Sequence, residues 1–187
     1  MVVFGDYDVD GATSSSLLIR YFHALGKTIN PYIPDRMTEG YGPNIRAMQT
    51  IAAQGARVVI TVDCGAVAYE ALAAAKASGL DVIVVDHHLG GETLPEAVAV
   101  VNPNRLDEQT EYRYLAAAGV VFLLLVALNK RLREQGFFQD RPEPSLLALL
   151  DIVALGTVCD VMPLKGLNRA FVTPVSYTHL TLPTSPK

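Results

Sequence analysis

The chain has 187 residues, half of them apolar, and a formal net charge of −4. This length accommodates one domain, or one domain and part of another, with enough apolar residues to cover both faces of a sheet. The negative charge excludes nucleic-acid binding through an overall basic surface, so such a partner would need local basic residues, bound metal or parts outside this chain. No apolar stretch is long enough to span a membrane, and no signal peptide is apparent. The two cysteines lie far apart without zinc-like spacing, which favours a reduced, cytoplasmic protein.

The chain begins with a short apolar run that ends in three aspartates at alternate positions. Asp6, Asp8 and Asp10 point the same way if the strand geometry persists. Carboxylates held so close together repel one another unless protons or cations neutralise them. The pattern by itself indicates equally a metal or phosphate site and a polar turn in which Asp10 caps the next helix, and the rest of the chain decides between them. That helix is predicted at residues 12–25, with Gly26 as its end.

Short apolar runs and helical segments alternate through the first hundred residues. Strands are predicted at residues 28–33, 57–62, 81–85 and 98–101, with helices at 44–54 and 68–77. The proline in the first of these strands favours an edge position. The second strand ends in Asp63 and the third in Asp86, His87 and His88. Because the carboxyl ends of parallel strands share one edge, we predict an α/β fold, a three-layer sandwich with a mainly parallel sheet of about five strands flanked by helices.

The second half of the chain is predicted to be mainly helical. Helices are expected at residues 115–134 and 145–155, followed by a turn at 156–163 that presents Asp160 between apolar neighbours. An aspartate there is unfavourable without a partner, so Asp160 joins the candidate ligands. The full set of candidate ligands is Asp6, Asp8, Asp63, Asp86, His87, His88 and Asp160.

Carboxylates accompanied by one or two imidazoles suit Mn²⁺ or Mg²⁺ better than a thiolate-bound structural zinc. One carboxylate can bridge two ions roughly 3.5–4 Å apart, and such a pair activates a water and stabilises charge at phosphorus. The residue types therefore predict metal-assisted hydrolysis of phosphoesters or phosphoanhydrides.

Four ordered segments resemble the motifs of the DHH phosphoesterase superfamily: residues 6–11 (DYDVDG), 63–65 (DCG), 86–88 (DHH) and 156–161 (GTVCDV). Residues 33–36 (IPDR), 39–42 (EGYG) and 101–105 (VNPNR) make the chain most similar to the RecJ family of bacterial exonucleases within it. The resemblance covers residues 2–172. It implies an enzyme that hydrolyses phosphodiester bonds in single-stranded DNA from the 5′ end, in recombination and repair.

The resemblance also implies a ligand set for two ions, Mn²⁺ or Mg²⁺: Asp6, Asp8, Asp63, His87 and Asp160. Asp63 would bridge the ions and take part in catalysis. Asp6 would bind one ion, and the remaining three ligands would bind the other.

The resemblance assigns further roles around these ligands. His88 would face the substrate phosphate as a proton donor or charge stabiliser. Arg36 would clamp a phosphate, because a guanidinium matches phosphate oxygens in a bidentate way. Asp86 would orient a ligand histidine without binding metal, and Asp10 would cap the helix or support the turn.

One position departs from the pattern of many relatives, which carry another histidine ligand two residues before the first aspartate. This chain has Phe4 there, and a phenyl ring cannot bind metal. We therefore expect the ion on the Asp6 side to bind more weakly than the other.

The resemblance implies a catalytic domain over residues 1–172, with further domains outside this chain, and a non-native or disordered tail over 173–187. Weak or undetectable exonuclease activity is expected of this chain alone. The expected partner is single-stranded DNA, without a membrane, and with a helicase or single-strand-binding protein as partners of a longer protein. Two alternatives remain: a DHH phosphodiesterase for short oligoribonucleotides or cyclic dinucleotides, and a catalytically silent scaffold in a replication complex.

Overall fold

The computed structural model describes residues 1–179. In this part of the chain the strands are β1 Val2–Gly5, β2 Asn30–Tyr32, β3 Val58–Val62, β4 Asp81–Val85 and β5 Ala99–Val101. The helices are α1 Val9–Ala24, α2 Ile45–Ala53, α3 Tyr69–Ala77, α4 Ala117–Glu134, α5 Leu150–Cys159 and α6 Gly166–His179. A 3₁₀ turn, Leu146–Leu149, precedes α5.

The strands form one sheet in the order β2-β1-β3-β4-β5, and every neighbouring pair is parallel. The predicted α/β fold is therefore confirmed, and β2, which contains Pro31, lies at an edge as expected. From β1 the chain moves to one side to form β2 and to the other side to form β3. In open parallel sheets this reversal opens a crevice at the carboxyl edge, here between β1 and β3.

Two apolar cores cover the two faces of the sheet. On one face α1, α4, α5 and α6 pack through a cluster that includes Leu17, Leu125 and Val153. On the other face α2 and α3 pack through a cluster that includes Met48 and Leu72. The three-layer arrangement follows, because strands buried on both faces require helices on both sides.

Helix α5 extends further than the sequence suggests. The expected turn at residues 156–163 is wrong for its first four residues, which are helical to Cys159, and Asp160 is the C-cap. Gly156 is needed inside this helix because a Cβ there would lie 2.4 Å from Thr13 Oγ1 and 2.8 Å from Ala118 Cβ. The glycine that resembles a helix breaker instead allows α5 to approach α1 and α4 closely.

Helix α6 crosses the predicted domain boundary at residue 172. Phe171 anchors this helix against Phe122, with ring centroids 5.2 Å apart in an edge-on contact. Residues 173–179 of the tail predicted to be non-native or disordered are helical, and residues 180–187 lie outside the described residues. That the tail is non-native remains a prediction. Among residues 1–179, no helix combines the length and the apolar character needed to cross a membrane.

Candidate metal centre

Three buried aspartates lie in a row at the carboxyl edge of the sheet. Asp6, Asp63 and Asp86 directly follow β1, β3 and β4 and are at most 4% exposed. Each donates its backbone N–H to the last carbonyl of the neighbouring strand, at 3.4, 3.1 and 3.1 Å respectively. The hydrogen-bond ladder thus continues one step past each strand, and it fixes the three acids at the mouth of the crevice.

Several carboxylate oxygens here are buried without a hydrogen-bond partner: Asp6 Oδ1, Asp63 Oδ1 and Asp160 Oδ2. Three groups of side chains have ligand atoms within 4.8 Å of one another, namely Asp6–Asp8–Asp63, Asp63–His87–His88 and Asp10–His87–Asp160. Oxygens removed from water and left without donors carry a desolvation cost that a cation can offset. The donor set therefore fits a hard or borderline divalent ion.

A hydrogen bond from one ring nitrogen of His87 turns its other ring nitrogen toward this cluster. Its Nδ1 lies 3.1 Å from the carbonyl oxygen of Leu115, which fixes the proton on that nitrogen and leaves Nε2 to face the acids. His87 Nε2 lies 3.2 Å from Asp63 Oδ1 and 3.7 Å from Asp160 Oδ2. The structure thus brings together the ends of β3, β4 and α5, as the sequence predicts.

Asp86 holds the other histidine. Its Oδ1 lies 2.8 Å from His88 Nδ1, and its Oδ2 accepts the backbone N–H of Ala66 at 2.9 Å. Burial alone would raise the pKa of Asp86, but these hydrogen bonds outweigh it and lower the pKa. The same contact raises the pKa of His88. Asp86 thus orients the ring of His88, while the Leu115 carbonyl orients that of His87, and the supporting role of Asp86 toward a ligand histidine remains a prediction.

Asp8, and not Asp10, caps helix α1, although Asp8 also belongs to a group of potential metal ligands. Asp8 is the N-cap of α1, because its Oδ1 accepts the backbone N–H of Gly11 at 2.9 Å. Asp10 lies inside α1 and instead accepts the N–H groups of Ala117 and Ala118, at 2.6 and 2.9 Å, at the start of α4. The expectation that Asp10 caps its own helix is wrong, and Asp10 ties α1 to α4 beside the centre.

The metal-free centre retains protons because its charges are mostly negative and buried. Burial raises the pKa of Asp63 to about 7 and that of Asp10 to about 6, and it also raises the pKa of Asp6 and Asp160. Burial works against a charged imidazole, but the surrounding carboxylates, Asp63 first, raise the pKa of His87 to about 9. A bound cation would replace these protons.

Arg36 lies on the loop between β2 and α2, at the rim of the centre. Its guanidinium carbon is 5.2 Å from the centroid of the Tyr7 ring, and its charge offsets a small part of the rise that burial causes in the pKa of Asp6. Asp35 braces the loop, since its Oδ1 accepts the N–H groups of Met37 and Thr38 at 3.0 and 2.9 Å. The exposed Arg36 side chain is thus within electrostatic reach of the centre and makes no ion pair with a carboxylate within the described residues.

Tyr41 is a functional candidate that the sequence reasoning missed. Its hydroxyl donates to the backbone carbonyl of Asp63 at 3.0 Å and lies 3.3 Å from His88 Nδ1. The ring meets the His88 ring edge-on, with centroids 5.9 Å apart. Burial raises the pKa of Tyr41, so the hydroxyl stays protonated. The available signal was its position between Gly40 and Gly42, both at positive φ, which turn the loop back over the sheet edge.

Phe4 occupies the core and not the centre. It is fully buried, stacks on Tyr32 with centroids 5.2 Å apart, and belongs to the core on the α2–α3 side. Its phenyl ring supplies no ligand for an ion bound beside Asp6, as the sequence indicates. The inequality of two ion sites remains a prediction, as does the division of the five ligands between them.

Two residues with left-handed backbones border the centre. Asp63 has φ 61° and Val161, the residue after Asp160, has φ 56°. An aspartate tolerates this conformation, whereas a β-branched valine is strained in it. Strain of this kind concentrates at functional sites.

Comparisons with known proteins identify relatives in sequence and in fold. The family model described as "DHH family, N-terminal domain" matches residues 1–157. The single-stranded-DNA-specific exonuclease RecJ of Salmonella typhimurium is 45% identical over 172 residues, which is 90% of this chain but 30% of that protein. This chain therefore spans less than a third of the length of that curated relative.

Two solved structures share the fold as well as the sequence. A crystal structure of exonuclease RecJ bound to manganese matches with a TM-score of 0.77 and 40% identity, over 91% of this chain and 41% of that one. RecJ from Thermus thermophilus in complex with Mn²⁺ matches with a TM-score of 0.73 and 34% identity, over 95% of this chain and 24% of that one.

Proposed function

The chain belongs to the DHH family, and we propose that it is the catalytic domain of a cytoplasmic, metal-dependent exonuclease that hydrolyses single-stranded DNA from its 5′ end in recombination and repair. One observation carries the proposal: unpaired oxygens of Asp6, Asp63 and Asp160 converge with His87 Nε2 at the crevice of a parallel sheet. The identity to RecJ proteins supports the choice of single-stranded DNA over short oligoribonucleotides or cyclic dinucleotides.

Mn²⁺ or Mg²⁺ is the proposed cofactor, as two ions. The residues that would hold it are Asp6, Asp8, Asp63, His87 and Asp160. When bound, the metal supplies a water of lowered pKa and stabilises negative charge on a phosphoryl oxygen. The chain contributes a fixed set of oxygens in a water-poor crevice, so little reorganisation is needed when the diester enters.

His88 and Arg36 would act on the phosphate itself. His88 has its Nδ1 held by Asp86, and its side chain is half exposed, so its other ring nitrogen is the one available to the substrate. The contact with Asp86 favours the charged imidazolium, which can donate a proton to the leaving oxygen. Arg36 would bind phosphate oxygens from the loop above.

The proposed activity is tested first with a small diester that needs little substrate grip. We expect the 187-residue chain to hydrolyse bis(4-nitrophenyl) phosphate with Mn²⁺, and Asp63→Asn to abolish the hydrolysis. The matched control is Asp151→Asn in the first turn of α5. Asp151 is exposed, and its carboxylate accepts the backbone N–H of the adjacent Ile152. Equal rates for the two variants would refute metal-dependent hydrolysis at this centre.

The substrate class is tested with a chain extended to the length of its curated relatives. Single-stranded DNA labelled at the 5′ end should be shortened from that end, and faster than a short oligoribonucleotide. A preference for the oligoribonucleotide would replace the exonuclease proposal with the small-substrate phosphodiesterase. Addition of a helicase or a single-strand-binding protein should raise the rate if these are its partners.

A further inference from the structure

The main-chain polar groups of His87 and His88 are all bound by side chains. Both N–H groups are accepted by Asp86 Oδ1, at 2.7 and 3.2 Å. The carbonyl oxygen of His87 accepts from Asn104 Nδ2 at 2.6 Å, and that of His88 accepts from Asn102 Nδ2 at 2.8 Å. Three side chains thus fix the orientation of both peptide units of the histidine pair.

The two asparagines form one unit, which we call the asparagine bracket, directly after β5. Asn102 is 5% exposed, and its Oδ1 accepts the N–H of Asn104 at 2.7 Å across Pro103, closing an Asx turn. Asn104 Nδ2 also donates to the carbonyl of Arg113 at 3.2 Å, and the Asn104 carbonyl accepts the N–H of Gly90 at 3.2 Å. The bracket is therefore held on both sides and can act as a rigid support for the turn after β4.

We propose that the asparagine bracket positions the two histidines for different tasks, Asn104 aiming His87 at the metal and Asn102 aiming His88 at the substrate phosphate. The direction of each imidazole follows from its backbone, and each backbone carbonyl has its own asparagine donor. A displacement of about 1 Å at a reacting group can lower a rate about 100-fold. Asn102 and Asn104 are positioning residues, since the side-chain amide of each donates to a main-chain carbonyl of the histidine pair.

A structural role alone would give a different result, and the chain provides a matched control. Asn129 in α4 is 3% exposed and likewise donates its Nδ2 to a backbone carbonyl, that of Pro144, at 3.1 Å. It lies at the far end of α1, beside Tyr21, and contacts neither histidine. Asn129→Ala should therefore cost stability as Asn104→Ala does, without acting on the metal centre.

The first experiment measures Mn²⁺ binding by calorimetry, alongside thermal unfolding, for Asn104→Ala and Asn129→Ala. We expect both variants to unfold at lower temperature than the unchanged chain. Only Asn104→Ala should lower the Mn²⁺ affinity, by about 10- to 100-fold, as loss of support for a ligand histidine does. Equal Mn²⁺ affinity in the two variants would overturn the role of Asn104. If Asn104→Ala does not fold, Asn104→Ser retains a polar turn residue that is too short to reach the His87 carbonyl, and it carries the same prediction.

The second experiment separates the two asparagines and rests on the proposed function. Asn102→Ala should lower the Mn²⁺ affinity less than Asn104→Ala does, because Asn102 reaches the support of His87 only through its bond to the Asn104 N–H. It should lower kcat for bis(4-nitrophenyl) phosphate with KM unchanged, because the direct donor to the His88 carbonyl is lost. A loss of Mn²⁺ affinity as large as that of Asn104→Ala would overturn the division of tasks. If the unchanged chain binds Mn²⁺ but hydrolyses nothing, the proposed function fails while the binding experiment still decides the role of Asn104.

Discussion

Helix α1 carries buried polar groups at both ends, and the two ends differ in how these groups are satisfied. Near its carboxyl end the Tyr21 hydroxyl donates to Asn129 Oδ1 at 2.6 Å, and Asn129 in turn donates to the carbonyl of Pro144. Near its amino end the metal centre leaves oxygens of Asp6 and Asp160 without hydrogen-bond partners, and Asp63 Oδ1 faces the His87 imidazole at 3.2 Å. Both regions belong to the same domain and lie near opposite ends of α1.

The contrast shows that the unpaired acids do not result from poor packing. The fold pairs a buried tyrosine and asparagine that are 108 residues apart in sequence, so it can provide partners across long distances. A buried polar group left unpaired costs about 1–3 kcal/mol, and more when charged. Within residues 1–179, the buried carboxylate oxygens that carry this cost all lie at the crevice, as expected where stability is exchanged for ligand binding.

The largest expected effect removes one charge from the unpaired region. Asp63→Asn keeps the shape and tolerates the left-handed backbone, but it removes a carboxylate shared by two ligand groups. We expect Mn²⁺ affinity to fall by more than about 100-fold, exceeding the loss typical of a supporting residue. The metal-free variant should unfold no lower than the unchanged chain, because a buried carboxylate with raised pKa has been neutralised. A large loss of metal-free stability would show that Asp63 is structural, and calorimetry with thermal unfolding measures both quantities.

The second prediction concerns the hydrogen-bonded pair Tyr21–Asn129 near the carboxyl end of α1, where a partner is removed. Tyr21→Phe removes the hydroxyl and leaves Asn129 Oδ1 buried without its donor. We expect the free energy of unfolding to fall by about 1–3 kcal/mol, as for a buried acceptor left unpaired. Mn²⁺ affinity should stay the same. Denaturant titration together with calorimetry checks both expectations, and a variant as stable as the unchanged chain would remove the contrast between the two regions.

The protons held by the metal-free centre give a third test. The pKa of His87 is raised to about 9, so at neutral pH a proton must leave before Nε2 can bind metal. Mn²⁺ affinity should therefore rise with pH, by up to about tenfold per pH unit for each proton displaced, and level off above pH 9. Calorimetry in buffers of different ionisation enthalpy measures the protons released. In Asp63→Asn the dependence should shift to lower pH, because the main charge that raises the pKa of His87 is gone.

Most of the sheet could be predicted from the sequence because buried parallel strands are continuous apolar runs. β4 was predicted at the same residues, 81–85, that the structure shows. The end of α5 could not be predicted, since Gly156 disfavours helix locally and only its close approach to Thr13 and Ala118 explains it. Tertiary packing here overrides local propensity.

The candidate ligands were predictable for a related reason. Acids at the carboxyl ends of adjacent parallel strands must meet, so Asp6, Asp63 and His87 follow from the strand pattern. The bond from Asp10 to Ala117 spans 107 residues, and neither residue carries a local signal of it. The same holds for Tyr41, whose partner is a backbone carbonyl 22 residues away. Contacts of this kind depend on the finished fold.

The smallest expected effect compares the ends of two helices, one in each region. Helices α4 and α5 end in the same way, because the two residues after each C-cap donate their N–H groups to carbonyls of the last helical turn. The first of these two residues has a left-handed backbone in each helix, Gly136 with φ 73° and Val161 with φ 56°. The glycine is relaxed there and the valine is strained. We expect Val161→Gly to raise the free energy of unfolding by about 1 kcal/mol, since relief of strain exceeds the entropy cost of glycine. Gly136→Val should lower it by about 1–3 kcal/mol. Val161 is 86% exposed, so little packing is lost, and a destabilised Val161→Gly in denaturant titration would mean that the end of α5 is not strained.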